Sequence, residues 1–431
     1  MKRPIPTLSL LLTASLLTAS LLTGCLVEPP SDEAGDETVG EATDAARVCT
    51  LPSTRPLSVD SLARSGIDTA DFISDVVADL DDDYMGYSAI LIGTNGAEIA
   101  TAKYGWARTR CEPEGERVFN HNTQTAWGSV TKVLTTALVI DKVERSSQTL
   151  DEAAWTNLPT AWRNDIVAAN SPHMAVRIRD LLSHMSGFAG SNGVPLLERI
   201  TGPLEKSLNT RIYSNANFTL FHHMGRFFRQ SYFDDLEASF VPGEIPLDSY
   251  LETISISIYR NTLEDRIADP LGIAFSCNQP EHAGSNYSRY YTTSSAKSGY
   301  MLNNADSQGC ATGGVVMSPR DMAKFLHALT RTSDIISHDN YENEMAITSI
   351  RRLGWDYALP VAGGRMYGKN GSRGFSGPSS IPGNGAGSSY SEIVTFPNGM
   401  SALITTNSAP PLGSPGLATI LADAYNANVT P

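Results

Sequence analysis

Residues 127–143, WGSVTKVLTTALVIDKV, constrain the fold more than any other stretch of the sequence: an almost unbroken apolar run of helical length, opened by Ser129 and Lys132. Residues three apart lie on the same helix face one turn apart, so a hydroxyl and an amine are neighbours there. A helix apolar on nearly every side belongs in the middle of a domain, so the rest of the chain must wrap around it and leave its first turn at the base of a cleft. Serine is a poor nucleophile until a base takes its proton. Lysine is that base only where burial or a nearby cation lowers its pKa. A core helix whose serine caps the first turn would read the same way. SxxK is short enough that about one chance copy is expected in a chain this long. A second copy, Ser294 to Lys297, does occur, in YYTTSSAKSGY with no apolar helix behind it.

The amino terminus does not belong to that core. Lys2 and Arg3 precede a leucine-rich run from Leu8 to Leu22, too short to span a membrane and shaped like a secretory signal. It ends Leu22, Thr23, Gly24, Cys25, which resembles the lipobox of bacterial lipoproteins. The resemblance implies removal of residues 1–24, lipidation of Cys25 and a membrane attachment through that lipid, at a bacterial cell envelope facing periplasm or exterior. Residues 25–58 are acidic at first and poor in large side chains, which predicts a disordered tether. The formal net charge of -14 leans on this segment and argues against a nucleic-acid partner. Four further cysteines remain in a chain bound for export, where disulfides persist. The pairs expected are Cys49 with Cys111 and Cys277 with Cys310. No cysteine or histidine spacing suggests a metal, and no cofactor is called for. His222 and His223 are adjacent and read as structural.

The folded domain is expected over 59–431 and is of the α/β (α+β) class. An amphipathic helix is predicted from about Ser61, with Ile73, Val76, Val77 and Leu80 on one face. GYSAILIG and AEIATAKYG flank Asn95 and Gly96, a strong hairpin signal. Residues of about 150–312 show helical periods and few strands, which predicts an all-helical insertion. Ser318, Pro319 and Asp321 then open a capped helix, and YSEIVTF and MSALITT flank a turn at Pro397 to Gly399. The outline is a mainly antiparallel sheet flanked by helices plus a helical subdomain.

Two motifs accompany Ser129 and Lys132. Tyr213, Ser214 and Asn215 form YxN in the helical part; Lys369, Asn370 and Gly371 form KxG before the closing strands. Each also occurs elsewhere, and each alone suits a packed aromatic, a turn or a solvated cation. In this order, and with IRDLLSHMSG, DPLGI, GGVVMSPRDMAKFL and FPNG around them, they resemble the serine β-lactamase and penicillin-binding protein superfamily, closest to its class C-like branch of D-alanyl-D-alanine carboxypeptidases, D-aminopeptidases and esterases. The resemblance spans roughly residues 85 to 410. It implies Ser129 as nucleophile, Lys132 and Tyr213 sharing proton transfer, Asn215 orienting Lys132 and substrate, Lys369 on the opposite wall, and an oxyanion hole from the backbone of Ser129 and Ser372, with Asn370 and Gly371 lining the substrate site.

The residue types agree with that chemistry. Two lysines and a tyrosine around one hydroxyl raise the local potential, which is expected to lower the pKa of Lys132 and of Tyr213 and to suit an anionic acyl donor. Asn370 stands where the superfamily usually has Thr or Ser, and the glycine-rich residues 371–389 leave an alternative register with the third motif near Asn384 and Gly385. An aromatic-rich stretch at about 222–250 is expected to shape the cleft rim. The expected activity is a serine hydrolase acting through an acyl-enzyme on peptidoglycan D-alanyl peptides or β-lactams, a small-molecule or peptide substrate handled by a monomer. A carboxylesterase on the same scaffold, or a non-catalytic penicillin-binding-like protein, are the alternatives. An α/β-hydrolase is disfavoured because no GxSxG occurs.

Overall fold

The computed structural model describes residues 49–190, 194–240, 246–277, 286–302, 309–375 and 386–430. The signal segment 1–24, Cys25, most of the tether, and Asn384 with Gly385 lie outside the described residues.

Eleven strands are present among the described residues: β1 (Leu57–Ser61), β2 (Gly86–Ile92), β3 (Glu98–Arg108), β4 (Arg117–Val118), β5 (Thr125–Ala126), β6 (Phe275–Cys277), β7 (Val315–Met317), β8 (Tyr357–Val361), β9 (Gly364–Phe375), β10 (Gly387–Thr395) and β11 (Ser401–Thr406). The main sheet is antiparallel, in the order β1-β3-β2-β11-β10-β9-β8, with β4 added on β3; β5-β7-β6 form a small second sheet. The Asn95–Gly96 turn joins β2 to β3 with Gly96 at φ 81°, a conformation glycine adopts without strain.

Period-two alternation sorts the sheet's side chains onto two cores. Leu91, Val394, Ala402 and Ile404 face helix α1 (Thr69–Leu80) and the carboxy-terminal helix Leu417–Asn428. Ile90, Ile92, Ile393 and Leu403 face the opposite way, onto helix α2 (Thr131–Glu144) and the helix Pro319–Arg331. Every residue of α2 from Thr131 to Asp141 is buried; Val133, Leu134 and Ala137 to Ile140 supply its apolar surface, while Thr135 and Thr136 donate to the carbonyls of Ala311 and Lys132 and Asp141 accepts from Arg145 and Arg266. The described residues of 150–312 are not all-helical as expected: their helices share one core with α2, but Phe275–Cys277 forms β6 and pairs with β7.

Two further expectations are corrected. Residues 57–61 are a strand paired with β3, and α1 starts only at Thr69. This strand is an exposed edge, so no buried face marks it in the sequence. No described residue of the aromatic-rich stretch 222–250 lines the cavities at Ser129, and Phe227, Phe228 and Phe233 are buried, with Phe228 edge-on to Tyr259 of the helix Leu247–Leu263.

Candidate active site

The turn Gly128–Val130 that opens α2 is tied down from three sides. Trp127 N donates to Val315 O and its Nε1 to Met317 O, both at 3.0 Å, while its carbonyl accepts from Ser391 Oγ at 2.8 Å. Gly128 sits at φ +52°, and a Cβ there would lie 2.9 Å from Ser372 N. A Cβ on Gly371 would meet Trp127 O at 2.1 Å and Ser129 N at 3.2 Å. The glycine of KxG is thus required by the close approach of β9 to the serine turn, and it sets the Ser129 and Ser372 backbones side by side. Residues 364–375 form one twelve-residue strand, so KxG is inside the sheet rather than ahead of it.

Above this base Ser129 Oγ accepts a hydrogen bond from Lys132 Nζ at 3.1 Å and is hydrogen-bonded to Tyr213 Oη. Lys132 Nζ lies 5.1 Å from the centre of the Tyr213 ring, and so does Lys369 Nζ. SxxK and YxN therefore meet at the Ser129 hydroxyl, and KxG brings its glycine against the Ser129 backbone. Asn215 precedes the helix Ala216–His223 and accepts weakly from Tyr213 Oη at 3.5 Å. The carbonyl that holds Lys132 is that of Thr312, a residue with no sequence signal of its own.

Electrostatics separate the two proton-handling groups. Burial foremost, and then the Lys369 charge, hold the fully buried Lys132 amine well below the usual lysine range, with Asp356 opposing. Tyr213 goes the other way: desolvation, only partly offset by its bond to Ser129, pushes the phenol up to about 12, although 44% of the residue is exposed. The expected lowering of both is corrected for Tyr213, because its hydroxyl is withdrawn from water and Asp356 adds to the shift.

Lys369 also differs from expectation. Its side chain is 0% exposed, and its ammonium donates to Asp356 Oδ2 at 2.5 Å. The group facing the cleft is the Asp356 carboxylate, 20% exposed, so an incoming substrate carboxylate meets an anion before it meets the lysine.

Two cavities meet at Ser129. One, of about 560 Å³, is lined by Arg211, Tyr213, Asn215, Asp356, Asn370 and Ser372. The other, of about 220 Å³, is lined by Gly128, Asn215, the Gly309 to Gly314 loop, Ser372 and Arg373. The disulfides join Cys49 to Cys111 and Cys277 to Cys310, the second at the root of the Thr312 loop. His222 and His223 are structural: His222 Nε2 accepts from Ala311 N at 2.6 Å, and His223 stacks on Trp162.

An antiparallel sheet between helical layers, with this serine turn at its edge, defines the β-lactamase/transpeptidase-like fold. The β-lactamase family model matches residues 73–242. Solved structures of the same fold include a β-lactamase/D-alanine carboxypeptidase from Pseudomonas syringae, at 14% identity over 84% of this chain and 99% of that one with a TM-score of 0.58. A class C β-lactamase from Rhodobacter sphaeroides is 15% identical over 82% and 97%, TM-score 0.54. A D-stereospecific amidohydrolase from Streptomyces sp. is 18% identical over 83% and 98%, TM-score 0.55. At such identities the likeness is one of fold. No curated protein matches the sequence.

Proposed function

We propose that the protein is a serine hydrolase that works through an acyl-enzyme, with Ser129 as nucleophile. The observation that supports this most is Ser129 Oγ placed between the buried Lys132 amine, 3.1 Å away, and the Tyr213 phenol. Lys132, whose burial favours the neutral amine, takes the proton as Oγ attacks the acyl carbon. The oxyanion is received by the backbone N–H groups of Ser129 and Ser372. Tyr213, still protonated at neutral pH, donates to the leaving nitrogen or oxygen and recovers a proton from the Lys132 ammonium. Water then attacks the acyl carbon, the acid leaves, and Ser129 Oγ is reprotonated.

D-alanyl peptides and β-lactams are one substrate class consistent with this site. Esters or amides without a carboxylate beside the scissile bond are the second, favoured by the Asp356 carboxylate that covers Lys369. Lipid attachment at Cys25 belongs to the same proposal and rests on the sequence. A neutral fluorophosphonate should label the wild-type protein at Ser129 and leave Ser129→Ala unlabelled. Equal labelling of the two would reject the nucleophile. Fluorescent penicillin and a p-nitrophenyl ester, run side by side, then rank the two substrate classes.

A further inference from the structure

The Asp356 carboxylate is a built feature of the cleft. Its backbone N donates to Gly368 O at 2.9 Å. The residue before it is held through its carbonyl, since Arg211 Nη2 donates to Trp355 O and Nη1 to Ile350 O, each at 2.8 Å. Lys369, fully buried, fixes Oδ2 at 2.5 Å. Among the described residues no hydrogen bond reaches Oδ1. The carboxylate lines the same 560 Å³ cavity as Ser129.

A carboxylate that lines a reaction cavity, anchored at its backbone and at one oxygen, with no hydrogen bond at the other among the described residues, offers a site for a donor. Arg211 lines the same cavity and is the rival attractor for a substrate anion. Both of its terminal nitrogens are turned onto carbonyls, however, and what it holds there is the segment that carries Asp356. Lys369 cannot be reached without displacing Asp356.

We propose that Asp356 is a specificity-determining residue that receives a protonated amine on the substrate, so that the enzyme prefers acyl donors bearing an ammonium near the scissile bond over those bearing a carboxylate. This rests on the hydrolase reading with Ser129 as nucleophile. The ammonium donates to Asp356 Oδ1 while the acyl carbon lies over Ser129, and no bond to Asp356 forms or breaks. A hydrogen-bonded ion pair of this kind contributes enough to change kcat/KM by about tenfold or more.

The test uses p-nitrophenyl esters and p-nitroanilides identical except for a terminal ammonium, methyl or carboxylate on the acyl chain. A matching set carries the same three groups on the leaving group. In the wild-type enzyme one of the two sets should run ammonium, then methyl, then carboxylate in kcat/KM, with at least about tenfold between the first two. Asp356→Asn, shown to be folded by its circular dichroism spectrum, should bring ammonium and methyl level and raise carboxylate relative to methyl. Wild-type enzyme that prefers methyl or carboxylate in both sets overturns the assignment, whether or not Asp356→Asn folds. So does an ammonium preference that survives Asp356→Asn. If the neutral fluorophosphonate fails to label wild-type Ser129, the hydrolase reading itself has failed, which is a separate result.

Discussion

His184 and Tyr213 lie ring against ring, 4.5 Å between centroids, and the histidine brackets the tyrosine along the chain. The His184 carbonyl accepts from Ile212 N at 2.9 Å, and its Nδ1 accepts from Ser214 N at 3.4 Å and Asn217 Nδ2 at 3.1 Å. Both neighbours of Tyr213 are thereby fixed by one residue. Burial first of all keeps the imidazole neutral and able to accept. His184 stands at φ +58°, a conformation costly for a residue with a Cβ, and it is kept because the surrounding bonds over-determine it.

His184→Ala is therefore expected to lower kcat by roughly ten- to a hundredfold through misplacement of the Tyr213 hydroxyl, with a smaller change in KM. His184→Asn tolerates the left-handed backbone and offers an acceptor oxygen, so it should recover part of the loss. A kcat for the Ala variant equal to wild type would show that the bracket does not position Tyr213.

The pH profile reports on Lys132. Its pKa is lowered by burial and then by Lys369, and raised by Asp356. The base works only when neutral, so activity is present above the Lys132 pKa and lost as pH falls through it. Lys369→Met removes the lowering charge and leaves Asp356, which raises the Lys132 pKa. The acid limb of kcat/KM on a neutral ester should therefore move to higher pH. A limb that stays in place or moves to lower pH would show that Lys369 does not act on Lys132 by charge.

How much of this could be read in the sequence depended on whether a feature was local. Helix α2 was legible because Val133, Leu134 and Ala137 to Ile140 crowd one helical length with apolar side chains, which marks a buried segment whatever packs on it. Tyr213, Asn215 and Lys369 were legible only through their order along the chain, since nothing near any of them shows that they meet. Asp356 carries no local mark: it precedes a half-exposed strand, and its importance comes from pairing with a lysine thirteen residues later across the β8–β9 hairpin. Thr312 and His184 act through a backbone carbonyl or a backbone angle, which residue identity does not reveal. The reversed shift of Tyr213 follows from desolvation, a property of the folded cleft rather than of the charges a sequence lists.

Stability at acid pH is expected to be governed by buried imidazoles. Desolvation first of all pushes His121, His173 and His223 down to about 4. A depressed folded-state pKa gives stability that is fully present above the unfolded value near 6.5 and is lost as pH falls through about 4. At pH 5 each imidazole would cost on the order of 2 kcal/mol. Even half of that over three residues is a large part of an ordinary domain's stability. Urea midpoints should fall clearly between pH 7.5 and 5, and His173→Phe, which keeps a ring against Phe188, should reduce the drop. Equal midpoints at the two pH values would contradict the shifts.

The disulfide Cys277–Cys310 is expected to matter for catalysis as well as for stability. Cys310 is two residues from Thr312, whose carbonyl accepts from the Lys132 amine. Ala311 between them is held by His222 Nε2 on its N–H and by Thr135 Oγ1 on its carbonyl, so the loop has side-chain anchors besides the covalent one. Loss of the bridge should therefore loosen the loop rather than dissolve it. Replacing both cysteines by serine is expected to cost about 2–5 kcal/mol of stability. It should also lower kcat several-fold, because Lys132 then samples positions away from Ser129 Oγ. Breaking Cys49–Cys111, which ties down the first described residue, should cost stability without that loss of rate. If both double variants leave kcat at the wild-type value under conditions where each is folded, the Thr312 loop does not need its bridge to hold the base.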